Sequence, residues 1–165
     1  MRASLALVDQ LEEQIAGCER ELRRLGAAHP YVPLLTTLPG VAWVLGYTIA
    51  SEIGDIGRFA SPRKLVGYTG LTPAVDQSGE RDRRGVLRKN GPHYLRWALI
   101  EAAHTAGRSP YYRPIVERMR ARHGRPRGSK IAAVEIGRRL SEAIWHMLTK
   151  NRPFAPAGAP TPMAA

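Results

Sequence analysis

The sequence holds a single cysteine, Cys18, among 165 residues. One thiol excludes an internal disulfide framework and fits a reducing compartment. Acid is also scarce: 14 Asp and Glu stand against 25 Lys and Arg, leaving a formal charge of +11. That imbalance is extreme for a generic soluble enzyme. It points to a polyanionic partner, nucleic acid before an anionic membrane. No apolar run approaches the ~20 residues that span a bilayer, and the first residues lack a secretory pattern. Ligand groupings for a metal are missing too. Asp55, Asp76 and Asp82 are scattered, and the five histidines show no pair at metal-binding spacing. The length suits one domain of ordinary size with appendages.

What is present centres on Gly70 to Arg96, GLTPAVDQSGERDRRGVLRKNGPHYLR. Ser78-Gly79 is followed by a dense run of cations, Arg81, Arg83, Arg84, Arg88 and Lys89. Short apolar pairs, Ala74-Val75 and Val86-Leu87, flank this polar centre without a 3.6-residue period, the pattern of a hairpin-like excursion. Asn90-Gly91 before Pro92 then opens a helix, since proline suits a first helical position. A serine near the tip of a basic loop is a candidate for phosphate chemistry. A turn residue on a solvated surface is the plainer reading of the same residues.

Around this centre the chain reads as helical. Leu5, Val8, Leu11, Ile15, Cys18, Leu22 and Leu25 form a seam with charges on either side, ending at Gly26. It predicts a coiled-coil-like helix over 1–28, or an amphipathic helix packed on its own domain with Cys18 as a small core residue. Leu38-Pro39-Gly40-Val41 followed by a helix from about Ala42 to Ile53 has the outline of a helix-hairpin-helix. In that module, backbone N–H groups at the turn face phosphates, which makes Gly40 a candidate DNA contact. A packed corner with a glycine at positive φ is the alternative. Ser61-Pro62 predicts a helix to about Tyr68, with Tyr68 packed, not stacked on a base. The helix after Pro92 carries Leu95, Leu99, Ala102, Ala103 and Ala106 on one face, with Arg96 and His104 placed to look toward the basic loop. A further helix is expected between Pro110 and Arg122, with Pro114 in its first turn or displacing its start. Arg118, Arg120, Arg122, Arg125, Arg127 and Lys130 form a second basic cluster. Ser129 is read as the cap of a last helix, and residues 151–165 as a disordered Pro/Ala-rich tail.

Taken in order, LPGV, GLTP, QSG, the basic stretch, Lys89-Asn90-Gly91 and Tyr94-Leu95-Arg96 resemble the C-terminal domain of a family of insertion-sequence transposases. These carry a RuvC-like DEDD domain at the N-terminus and a serine-bearing domain at the C-terminus, and some are known as bridge-RNA-guided recombinases. The resemblance spans nearly the whole folded part. It implies DNA cleavage and joining through a phosphoserine linkage, with Ser78 as the nucleophile. Arg81, Arg83, Arg84, Arg88, Lys89 and Arg96 would then bind DNA or RNA.

The seam helix would correspond to the coiled-coil connector of the family. Residues 31–150 would be the transposase domain, in a chain that is a fragment or a truncated gene product and inactive by itself. Mg2+ is expected only through the RuvC-like domain, which has no counterpart here. DNA, a guide RNA and a homo-oligomer through the N-terminal helix are the implied partners, in the bacterial cytoplasm at the nucleoid and away from membranes. The expected fold is mainly α: a coiled-coil-like helix, then a helix-hairpin-helix-like domain interrupted by a basic active loop of β-hairpin outline. A non-catalytic nucleic-acid-binding module and an oligomerisation piece are the alternatives.

Overall fold

The computed structural model describes residues 2–78, 81–87 and 90–155. The fold is mainly α. Helix α1 (Arg2–Ala27) is followed by the single turn α2 (Val32–Leu35), α3 (Trp43–Ile53), a 3-10 turn (Ile56–Arg58) and α4 (Pro62–Thr69). Strands β1 (Pro73–Ser78) and β2 (Arg81–Leu87) pair antiparallel, and α5 (His93–Ala106), α6 (Arg113–His123) and α7 (Arg125–Lys150) complete the chain.

The long α7 is the spine. Its buried positions Ala132, Ala133, Ile136, Leu140, Ile144, Met147 and Leu148 recur at helical spacing and face α4, α5 and α6. The other side of the core comes from α5, through Leu95, Ala98, Leu99, Ala102 and Ala106, and from α3, through Ile49, Ala50 and Ile53. The alanine stripe expected on α5 brings α3 and α7 close to its backbone. Trp145 ties the end of α7 to the 3-10 turn by donating its indole N–H to the Phe59 carbonyl at 2.8 Å.

Gly40 belongs to this packing. Its φ is +85°, and a β-carbon there would run into the Ala102 carbonyl of α5. The glycine is therefore accounted for by a turn pressed onto a helix. The first helix of the expected helix-hairpin-helix, α2, is one turn long. Tyr68 packs as expected, its ring 5.2 Å from that of Phe59, with the Arg58 guanidinium 4.6 Å from its centre.

Two local expectations change, those for Ser129 and Cys18. Ser129 does not cap α7, which starts four residues earlier at Arg125. Gly124 at φ +77° separates α6 from α7, Pro126 fits the first turn, and the Ser129 hydroxyl donates back to the Arg125 carbonyl at 2.7 Å. Pro114 does sit in the first turn of α6, and that helix begins at Arg113. Cys18 is exposed, because most of α1 projects from the body without a neighbouring element. Only the last turns of α1 dock, where Gly26 is buried against Trp43 and Val32. After α7 the irregular segment is anchored through Phe154. Its N–H donates to the Thr37 hydroxyl at 2.9 Å, and its ring lies 6.2 Å from that of Tyr111.

Candidate nucleic-acid interface

The expected basic excursion is a two-stranded antiparallel arm. Ser78 ends β1 and pairs with Arg81, the first residue of β2. Asp76 pairs with Arg83 and Val75 with Arg84, and an irregularity between Pro73 and Val75 shifts the register near the base. Such a bulge bends and twists an arm, which favours a protruding ribbon over a flat sheet edge. Arg88 and Lys89 lie outside the described residues.

Both ends of the arm are fixed. Gly70 closes α4 in the left-handed conformation, with φ +70°, and Leu71 is buried with its side chain against Gly137 of α7. At the return, Gly91 has φ +151°, and a β-carbon would meet the Tyr68 carbonyl of α4. Glycine is needed on both counts. Pro92 then precedes α5, whose Leu95 is fully buried. The arm thus rises from a rigid corner between α4 and α5 although only two strands build it.

Arg96 is half-buried in the first turn of α5 and engaged by its surroundings. His104 is exposed near the far end of α5. It lines a groove between α5, α6 and α7 with Arg108, Arg113 and Arg120, three turns of α5, or roughly 16 Å, from the end that carries the arm. Tyr94 and Trp97, of which the sequence reading cited only Tyr94 and only within a motif, are 64% and 43% exposed on the first turns of α5, and Tyr94 lines a groove with Leu22 of α1 and Val44 and Tyr47 of α3. The three-residue spacing of Tyr94 and Trp97 outside the buried Leu95–Ala98–Leu99 face was the available signal. Exposed aromatic rings suit stacking on bases.

The second cationic group is brought together by the α6–α7 corner, where Arg118, Arg120, Arg122, Arg125, Arg127 and Lys130 are all exposed. Among the described residues, no group of three or more His, Cys, Asp and Glu side chains is arranged to hold a metal ion. No helix described here is long and apolar enough to cross a membrane.

The family described as Transposase IS116/IS110/IS902 matches residues 32–116, which takes in α2, both strands and α5. The transposase for insertion sequence element IS1111A of Coxiella burnetii is 26% identical over 152 residues, covering 87% of this chain and 40% of the relative. The insertion element IS116 uncharacterized 44.8 kDa protein of Streptomyces clavuligerus is 27% identical over 147 residues, covering 89% of the chain and 36% of the relative. The pilin gene-inverting protein of Moraxella bovis is 29% identical over 154 residues, with shares of 92% and 45%. This chain therefore spans less than half the length of these relatives.

Proposed function

Because the chain belongs to the IS116/IS110/IS902 transposase family, we propose that it forms the strand-exchange part of a DNA transposase, with Ser78 as the nucleophile. The observation that supports this most is the place of Ser78, at the end of β1 opposite Arg81 in a basic arm with a fixed base. A hydroxyl carried there would meet DNA ahead of the helical body, with cations on the same arm.

In this reaction the Ser78 Oγ forms a bond to phosphorus while one P–O ester bond of the DNA breaks. The departing sugar oxygen keeps the electron pair and leaves as a hydroxyl, taking up the proton that serine gives up. The serine phosphodiester retains the energy of the broken bond, so a hydroxyl from another strand can displace Ser78 and rejoin the DNA. Arg81, Arg83 and Arg84 hold the phosphate and offset the charge that builds on its oxygens.

Serine is a weak nucleophile at neutral pH and needs activation. The Mg2+ implied by the resemblance does not fit the described residues, which contain no ligand cluster. Its ligands belong, in this proposal, to the remainder of a longer protein.

The exposed seam of α1 supports a second element of the reading, self-association of the chain. Leu5, Val8, Leu11 and Ile15 are each about half exposed, at 59%, 50%, 48% and 58%. Four such side chains in one helical row are what a coiled-coil partner covers.

Ser78→Ala in the full-length transposase tests the central assignment. Strand exchange should be lost while DNA binding persists, since the substitution removes the nucleophile and leaves the cations of the arm in place. Wild-type recombination by this variant would overturn it.

A further inference from the structure

Several of the described arginines pair with a carboxylate on their own helix. Where a carboxylate is within reach it is used: Arg23 pairs with Glu19 at 3.1 Å, Arg24 with Glu21, Arg113 with Glu117 at 3.3 Å, and Arg138 and Arg139 share Glu135 at 3.4 and 3.1 Å. The corner between α6 and α7 is different. From Arg118 to Val134 there are five arginines and one lysine and not a single acid. Among the described residues, no ion pair joins any of these six to a carboxylate. The acids that bound the stretch, Glu117 and Glu135, are already taken by other arginines.

The corner is built to hold its shape against this repulsion. Gly128 crosses α6 so closely that a β-carbon would meet the Met119 carbonyl and lie 2.6 Å from the Arg120 Cα. The Arg120 Nε–H donates to the Ser129 hydroxyl at 2.9 Å. Six exposed cations on a rigid corner repel one another, and a polyanion relieves that cost.

The position of the corner separates it from the arm. Helices α5 and α7 run antiparallel: Ile136 of α7 touches Gly107, just past the end of α5, whereas Ser141 and Ile144 lie beside Leu95. The arm is attached at the start of α5, and the corner lies beyond its other end. Leu71 at the base of the arm lies against Gly137, and Gly137 to Arg125 spans about 18 Å of α7. The base of the arm and the start of the corner thus lie about three turns of α7 apart.

We propose that the α6–α7 corner is a second DNA-binding surface, which grips the phosphate backbone of duplex DNA at phosphates other than those engaged by the arm. The proposal rests on the DNA-acting reading of the chain and assigns the corner a positioning role. It contacts backbone, not base edges, so it contributes affinity and register without sequence preference.

The test is the salt dependence of binding to a 20-base-pair duplex between about 50 and 200 mM salt. Three proteins are compared with wild type: Arg122→Gln/Arg125→Gln/Arg127→Gln at the corner, the same three changed to Lys, and Arg81→Gln/Arg83→Gln/Arg84→Gln on the arm. With three phosphate contacts removed, the corner glutamine variant should flatten the slope of log K against log salt by about 2.7. The lysine variant should keep the wild-type slope. The arm variant should flatten it separately, and the two glutamine sets combined should add. An unchanged slope in the corner glutamine variant, with wild-type helicity by circular dichroism, would overturn the proposal even if the arm variant loses binding. Loss at the corner with no change at the arm would instead support the proposal and count against the arm as the DNA-engaging site.

Discussion

At the scale of single residues, the glycines and one buried tyrosine make the sharpest statements. Gly40 combines a positive φ with contact between its missing side chain and the Ala102 carbonyl. Gly40→Ala should therefore lower stability by about 3 kcal/mol, from backbone strain and a displaced helix together. A thermal melt showing no loss would mean that the turn and α5 are not in contact. Tyr112 is only 1% exposed, and burial raises its hydroxyl to about 12, helped by the neighbouring Tyr111 and Glu142. A raised value in the folded state means that the unfolded chain loses the proton first. The contribution is fully present below about pH 10 and is lost as pH rises toward 12. The loss amounts to about 2–3 kcal/mol. Comparing wild type with Tyr112→Phe between pH 9 and about 11.5 isolates this group. The phenylalanine variant should lack that part of the alkaline decline, and parallel declines would refute the assignment.

At the scale of elements, apolar periodicity located the helices well, because each of α3, α5 and α7 buries one regular face. It said less about what covers a face. The Leu5–Leu25 seam reads the same in sequence whether α1 packs on its own domain or awaits a partner, and only the structure shows it projecting. The α7 start was missed for a related reason. Serine is a good cap in sequence, but Gly124 and Pro126 had already set the helix boundary, leaving Ser129 to bond inside the first turns. Trp97 escaped notice, and Tyr94 was read only as part of a motif, because they sit in a mostly apolar helix and differ from their neighbours only in the side they face.

The element-scale prediction concerns α1. If its seam joins copies of the chain, Leu11→Glu/Ile15→Glu should shift sedimentation from oligomer to monomer. The melting of the body should be unchanged, because both residues are exposed in the single chain. Identical sedimentation of variant and wild type would remove the seam as an interface.

At the scale of the whole molecule, charge and rigidity are divided between the parts. The helical body supplies a fixed frame, with α7 as its spine. The net charge of +11 is carried to a large extent by the arm and the α6–α7 corner at opposite ends of the α5–α7 pair. The family and the basic loop were legible in the sequence, since they rest on residues close together along the chain. The separation of the two basic groups was not, because it depends on the antiparallel course of α5 and α7. The groove in which His104 sits was not legible for the same reason, since it is formed by α5, α6 and α7 together.

The central claim is that Ser78 becomes covalently joined to DNA, and trapping that linkage tests it most directly. Full-length transposase containing this segment would be incubated with its DNA substrate, denatured, digested with protease and searched by mass spectrometry for a nucleotide attached to a peptide. The account predicts a phosphoserine linkage on the peptide containing Ser78, absent in Ser78→Ala while DNA binding persists. A linkage on another residue, or strand exchange at the wild-type rate in Ser78→Ala, would contradict it.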